Sequence, residues 1–263
     1  MSLVFAGITP HPPLLIPAIG KGQEARLEAT KKALLELERE LYVTKPHTII
    51  IISPHGGLYP EAFTINAHTP FQANYIQFGD LATKEEWEGV PEIAAKISHE
   101  ASVRGIRVQL TSQEILDHGS SIPLHFLTDH LPDVKILPIG FSGLSPKEHI
   151  DFGILLKDII MESNKRIALI ASGDLSHCLT KESPAGYDKH GKQFDDQLIS
   201  LLENRNTSGV VNLNEKIVGK AEQCGYRSIL ILLGVLKNMN YTFKNHCYES
   251  PFGVGYLTGQ FLF

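Results

Sequence analysis

The run Thr48–Ser53, TIIIIS, limits this chain's fold more than any other stretch. Four consecutive isoleucines show no apolar–polar alternation, so a strand made of them must be covered on both faces, as in a parallel sheet under helices. The segments around it agree. LVFAGIT (3–9), IRVQL (106–110), VKILPIGF (134–141) and RIALIASG (166–173) read as further strands. Between them, residues 22–41 place Leu27, Leu34, Leu37 and Leu41 at helical spacing among charges. Residues 85–105, 146–163, 191–204 and 226–239 also read as helices, and the last twenty-odd residues as a closing antiparallel pair. No linker, charge block or repeat divides the 263 residues. The expectation is one α/β domain over 1–263, with a mixed, largely parallel central sheet flanked by helices.

Composition narrows the partners. A net charge of −5 without a Lys/Arg cluster argues against nucleic acid or an anionic membrane. Cys178, Cys224 and Cys247 form no CxxC pair and no even framework, which suits a reducing cytoplasm. No segment reaches 18 consecutive apolar residues. A cytoplasmic protein is expected, with a homodimer as the default assembly.

Three strand runs end in turns that carry a histidine. GITPHPP gives His11, IIISPHGG gives His55 and LIASGDLSH gives His177, while EILDHGSSIPL puts His118 in a loop. Proline stops each of the first two strands and removes backbone freedom around the imidazole. One such residue is an ordinary turn histidine. Three after separate core strands converge on one sheet edge, where ligands of open α/β sheets gather. Convergent imidazoles suit a transition metal, and a carboxylate completes a facial triad. Glu222, in GKAEQCGYRSILILLGVL, is the best-placed acid, although a Glu near a helix start also has a dipole explanation. Asp117, Asp174, Asp188 and Glu249 are the other candidates.

The ordered motifs PHPPLLIP, SPHGG, DHGSSIPL, SGDLSH, YDKHGKQFDDQL and AEQCGYRSILILLGVL resemble the class III, LigB-type extradiol ring-cleavage dioxygenases. Within the wider group they resemble the AmmeMemoRadiSam and Memo branch. The resemblance implies a non-haem Fe(II) held by His11, His55 and Glu222, with His177 as acid/base and His118 contacting substrate or bound oxygen. It implies a small catecholic aromatic and O2 as substrates. The Memo branch has a cysteine where the dioxygenases have the glutamate, and Cys224 lies two residues beyond Glu222. On a regular helix those two side chains would point about 200° apart, so one of them faces the ion. Hard, oxygen-activating Fe(II) favours Glu222, leaving Cys224 and Asp174 beside the ion without binding it. Two other readings stay open: a hydrolase using zinc or another divalent ion, and a Memo-like metal-binding protein without ring cleavage.

Overall fold

The computed structural model describes residues 2–263. In chain order it contains β1 (Leu3–Thr9), α1 (Pro17–Gly20), α2 (Glu28–Thr44), β2 (Thr48–Ser53) and β3 (Phe63–Asn66). A hairpin of β4 (Phe71–Tyr75) and β5 (Asp80–Trp87) follows, then α3 (Pro91–Val103), β6 (Val108–Thr111), α4 (His118–Leu127), β7 (Lys135–Gly140) and α5 (Pro146–Glu162). The chain continues through β8 (Ile167–Ser172), α6 (Lys189–Glu203), α7 (Thr207–Val211), α8 (Glu215–Lys220) and α9 (Tyr226–Val235), and ends in β9 (Thr242–Glu249) and β10 (Tyr256–Leu262).

All six residues of β2 are buried, as the missing alternation demands. The strand lies between β7 and β8, parallel to both. Ile50 and Ile52 enter one core with α3, α5, α6 and α9, while Ile49 and Ile51 enter the other with α2, α4 and the β4–β5 hairpin. Each buried isoleucine stabilises the sandwich by about 1.5–3 kcal/mol relative to exposure. The full sheet runs β6-β3-β7-β2-β8-β1-β10-β9. Its centre, β7-β2-β8-β1, is parallel, and β10 and β9 close one side antiparallel. This is the expected α/β architecture. No helix is long and apolar enough to cross a membrane among the described residues.

Two local readings change. Residues 85–87 do not start a helix; they pair with β4, Phe71 opposite Trp87, and the helix starts at Pro91, whose missing N–H suits a first turn. His118 is not in a loop. Asp117 caps α4 by accepting from the Ser120 N–H, which makes His118 the first helical residue despite Pro123 downstream.

Candidate metal centre

The strands β2, β8 and β1 are neighbours, and their registers put Thr9 opposite Ser172 and Ile52 opposite Ala171. Each chain then leaves the sheet and, two residues on, presents a polar group: His55, Asp174 and His11. Strands that end level therefore deliver three candidate donors to one edge.

His11 is 2% exposed and held at two points. Its backbone N–H donates to Asp174 Oδ1 at 3.0 Å, and its Nδ1 lies 2.9 Å from Ser172 Oγ. When Nδ1 donates to the serine, Nε2 keeps its lone pair and faces inward. Around that nitrogen stand His55 Nε2 at 3.2 Å, Cys224 Sγ at 3.7 Å and Asp174 Oδ2 at 3.9 Å. Donor atoms of His11, His55 and His118 all lie within 4.8 Å of one another, and so do those of His11, Asp174 and Cys224.

A relay of hydroxyl and carboxylate fixes the other two histidines. The His55 N–H donates to Ser53 Oγ at 3.2 Å, and Ser53 Oγ donates to Asp117 Oδ1, the cap of α4. His118 therefore stacks on His55, centroids 4.2 Å apart at 22°, and meets His11 edge-on at 5.4 Å. Phe78, from the β4–β5 hairpin, packs edge-on against His118 at 5.4 Å and adds an apolar wall.

Cys224 enters from the turn before α9. Its N–H and that of Gly225 both donate to the Asp174 carbonyl, at 3.2 and 2.9 Å, and its sulfur accepts from the Asp174 N–H at 3.2 Å. The two chains meet glycine to glycine: a Cβ on Gly173 would lie 2.1 Å from the Gly225 Cα. Glu222 sits in the left-handed region at φ 51°. Its exposed side chain lines a separate cleft of about 500 Å³ with Ser145, Gln223 and Arg227. The expected placement is thus reversed. The two side chains do diverge, but the thiol turns toward His11 and the carboxylate turns away, because Glu222 adopts a backbone conformation no regular helix contains. Asp174, expected beside the ion, joins the cluster directly. His177 stands just beyond it, Nε2 3.9 Å from Asp174 Oδ2, with its backbone N–H on the Ala221 carbonyl.

The electrostatics favour neutral imidazoles. Desolvation around its inner edge, then the neighbouring His11 and His118, push His55 down to about 4, although the outer rim of its ring is exposed. His118 is lowered by burial and then by His11. Burial alone would raise Asp174, but His11, the His177 hydrogen bond and the His11 N–H together hold it below the ordinary carboxylate value. Burial, then the Asp174 charge, pushes the Cys224 thiol up. Around His11 Nε2 stand a second imidazole nitrogen, a sulfur and a carboxylate oxygen; such donors fit a borderline transition-metal ion, whose charge would draw the proton off the thiol. Ser53, Ser172 and Phe78 escaped the sequence reading. The two serines had a signal: each is the polar last residue of an otherwise apolar strand run.

The sequence matches the family described as the catalytic LigB subunit of aromatic ring-opening dioxygenase over residues 6–259. A Clostridium acetobutylicum protein is 32% identical over 97% of this chain, which spans 57% of that relative's length. A MEMO1 family protein of Methanosarcina mazei is 26% identical over 85% of this chain and 86% of its own. A 2,3-dihydroxyphenylpropionate/2,3-dihydroxicinnamic acid 1,2-dioxygenase of Klebsiella pneumoniae is 25% identical over 59% of this chain and 51% of its own. In fold, the crystal structure of an uncharacterized Escherichia coli K12 protein superposes with a TM-score of 0.70 at 18% identity, covering 98% of this chain and 99% of that one. With a family match running from β1 into β10, around the carboxyl-edge cluster of histidines, the chain belongs to the LigB family.

Proposed function

We propose that this protein binds one divalent transition-metal ion through His11 Nε2, His55 Nε2 and the Cys224 thiolate, a Memo-like centre on the LigB fold. The observation that carries the reading is the Cys224 sulfur, 3.7 Å from His11 Nε2, where sequence reasoning expected the Glu222 carboxylate. A thiolate with two imidazoles suits zinc, copper or iron better than hard ions. Ser172 orients His11, and the Ser53–Asp117 relay orients His55, the kind of outer support metal-bound histidines use. A bound ion would supply positive charge that draws and orients an oxygen ligand. Metal analysis after anaerobic purification tests the assignment. Cys224→Ala and His11→Ala should lose stoichiometric metal while Glu222→Ala keeps it; metal retained in Cys224→Ala and lost in Glu222→Ala refutes it.

A second reading is supported by His118, His177 and Asp174: ring cleavage of a catecholic aromatic with O2, with Fe(II) as the ion. Here Asp174 serves as the carboxylate beside His11 and His55. Its Oδ2 lies 3.9 Å from both His11 Nε2 and His177 Nε2, so His177 could take a phenolic proton with the aspartate stabilising the resulting imidazolium. Phe78 offers an aromatic ring an edge to pack on. Iron-loaded protein supplied with catechols in air should then yield a yellow ring-opened product; its absence across a catechol panel leaves the first reading alone.

A further inference from the structure

Tyr256 opens the last strand, and the sheet brings it to the centre. The β1–β10 ladder pairs Ala6 with Phe261, Gly7 with Gln260 and Ile8 with Gly259. Tyr256 lies three residues before Gly259, the last β10 residue paired with β1, at the end of the strand from which His11 leaves the sheet. It shares its core with Phe5 of β1 and with Leu15 and Ile16 just past His11. The preceding residue fixes the height: Gly255 donates to the Ser176 carbonyl and accepts from the Leu175 N–H, both at 2.8 Å. The start of β10 is thereby stitched to the loop carrying Asp174 and His177.

The ring is 4% exposed. Two other buried tyrosines commit their hydroxyls inside the protein, Tyr75 to Glu85 and Tyr226 to the Val210 carbonyl, as does half-buried Tyr248 to Asp195. Among the described residues the Tyr256 hydroxyl has no such hydrogen bond. Glu249, its cross-strand partner, is engaged by Thr30. Burial, then Asp174, Glu249 and Cys224, raise the phenol above its ordinary value, so the charges of the cluster reach it. A hydroxyl without a protein acceptor, on a ring that feels the charges of Asp174 and Cys224, is a donor available to a ligand at the centre.

We propose that Tyr256 is a ligand-binding residue of the centre, its phenol O–H donating to a deprotonated oxygen of a metal-chelating diol such as a catecholate. This rests on the metal reading above. The diol's two oxygens would replace solvent on the ion, and the tyrosine would favour the one that carries negative charge. A neutral or hydrogen-bond-donating ligand atom gains nothing from it, so the residue selects for acidic diols.

The test uses metal-loaded protein, kept anaerobic, titrated with 4-nitrocatechol, whose visible spectrum reports its ionisation. Tyr256→Phe should keep the wild-type metal content and melting temperature. It should bind 4-nitrocatechol about ten- to a hundredfold more weakly, the range for a lost hydrogen bond to a charged acceptor. The pH at which the bound probe ionises should rise, a change a merely structural tyrosine would not produce. Equal affinity and an unshifted ionisation in Tyr256→Phe overturn the proposal, as does a metal-loaded wild type whose probe spectrum never changes. Loss of metal in Tyr256→Phe also overturns it, by assigning the residue to the scaffold. If wild type holds no more metal than His11→Ala, the metal reading itself fails, an outcome distinct from all of these.

Discussion

Gly173→Ala tests how tightly the centre depends on two chains touching. The added Cβ would lie 2.1 Å from the Gly225 Cα, 2.9 Å from its nitrogen and 3.3 Å from its carbonyl carbon. Ordinary carbon contacts are about 3.5–4.0 Å, so the segments must part by more than roughly 1 Å. All the nearby atoms are backbone, and no rotamer relieves the overlap. Separation would break the bonds from the Cys224 and Gly225 N–H groups to the Asp174 carbonyl, and from the Asp174 N–H to Cys224 Sγ. Three bonds at about 0.5–1.5 kcal/mol each, plus about 1–3 kcal/mol of overpacking, give a loss of about 2.5–7.5 kcal/mol. For a domain of this size that lowers the melting temperature on the order of 10 °C. Gly225→Ala is the control. Its Cβ would meet the Asp174 oxygen and the Gly173 carbonyl group at 3.1 Å, and its φ of −87° suits alanine. A few tenths of an ångström of relaxation suffice, for about 1 kcal/mol. Thermal unfolding of both variants, with metal analysis alongside, reads the difference. A Gly173→Ala melting point within about 2 °C of wild type, or a Gly225→Ala variant that is the less stable of the two, would refute the reasoning.

Three further outcomes are expected. Ser172→Ala frees the His11 ring and should weaken metal binding about 10–100-fold by competition with a chelator, whereas unchanged affinity would show that the turn alone orients the imidazole. His177→Ala should retain full metal, since its imidazole lies beyond both donor groups; metal loss would make it a ligand. Between pH 6.5 and 4 two buried groups oppose each other: His149, pushed by burial down to about 4, loses stability as pH falls because only the unfolded chain takes the proton, while Asp195, raised by burial to about 6, gains stability because the folded chain takes it first. Asp195→Asn removes the gain and should steepen acid destabilisation across pH 6 to 4 by about 3 kcal/mol, measured by urea unfolding; parallel wild-type and variant profiles would refute the assignment.

The sheet was legible because burial on two faces leaves an unmistakable record in Thr48–Ser53 and Ile167–Ser172, and Pro54 marked where the first of those records stops. The β4–β5 hairpin was not. Its second strand is buried only at its two end residues, and its Lys84-Glu85-Glu86 run carries the charge density of a surface helix. The choice between Glu222 and Cys224 lay beyond sequence reasoning for a sharper reason. One φ angle, positive at a glutamate, decides which side chain turns inward, and nothing in the residue type announces it. Spacing gave their divergence without its direction. The start of α4 was missed: Asp117, its cap, entered only as a candidate carboxylate, and Pro123 lies inside the helix.

The level ends of β2, β8 and β1 make the sheet a gauge. Neighbouring strands stand about 4.8 Å apart whatever their side chains, a spacing set by backbone hydrogen bonds. Groups carried one short step beyond three adjacent strands start from that spacing, and their side chains close it to the shorter separation of donors around a single ion. The metric of the centre is thus inherited from the backbone, and the loops decide only which chemical groups fill it. Mutation can therefore exchange a carboxylate for a thiol, or redraw the approach to the edge, without the lattice having to be rebuilt. A fold of this kind can keep its geometry while its sequence drifts, and descendants with different chemistries can share one unaltered ruler.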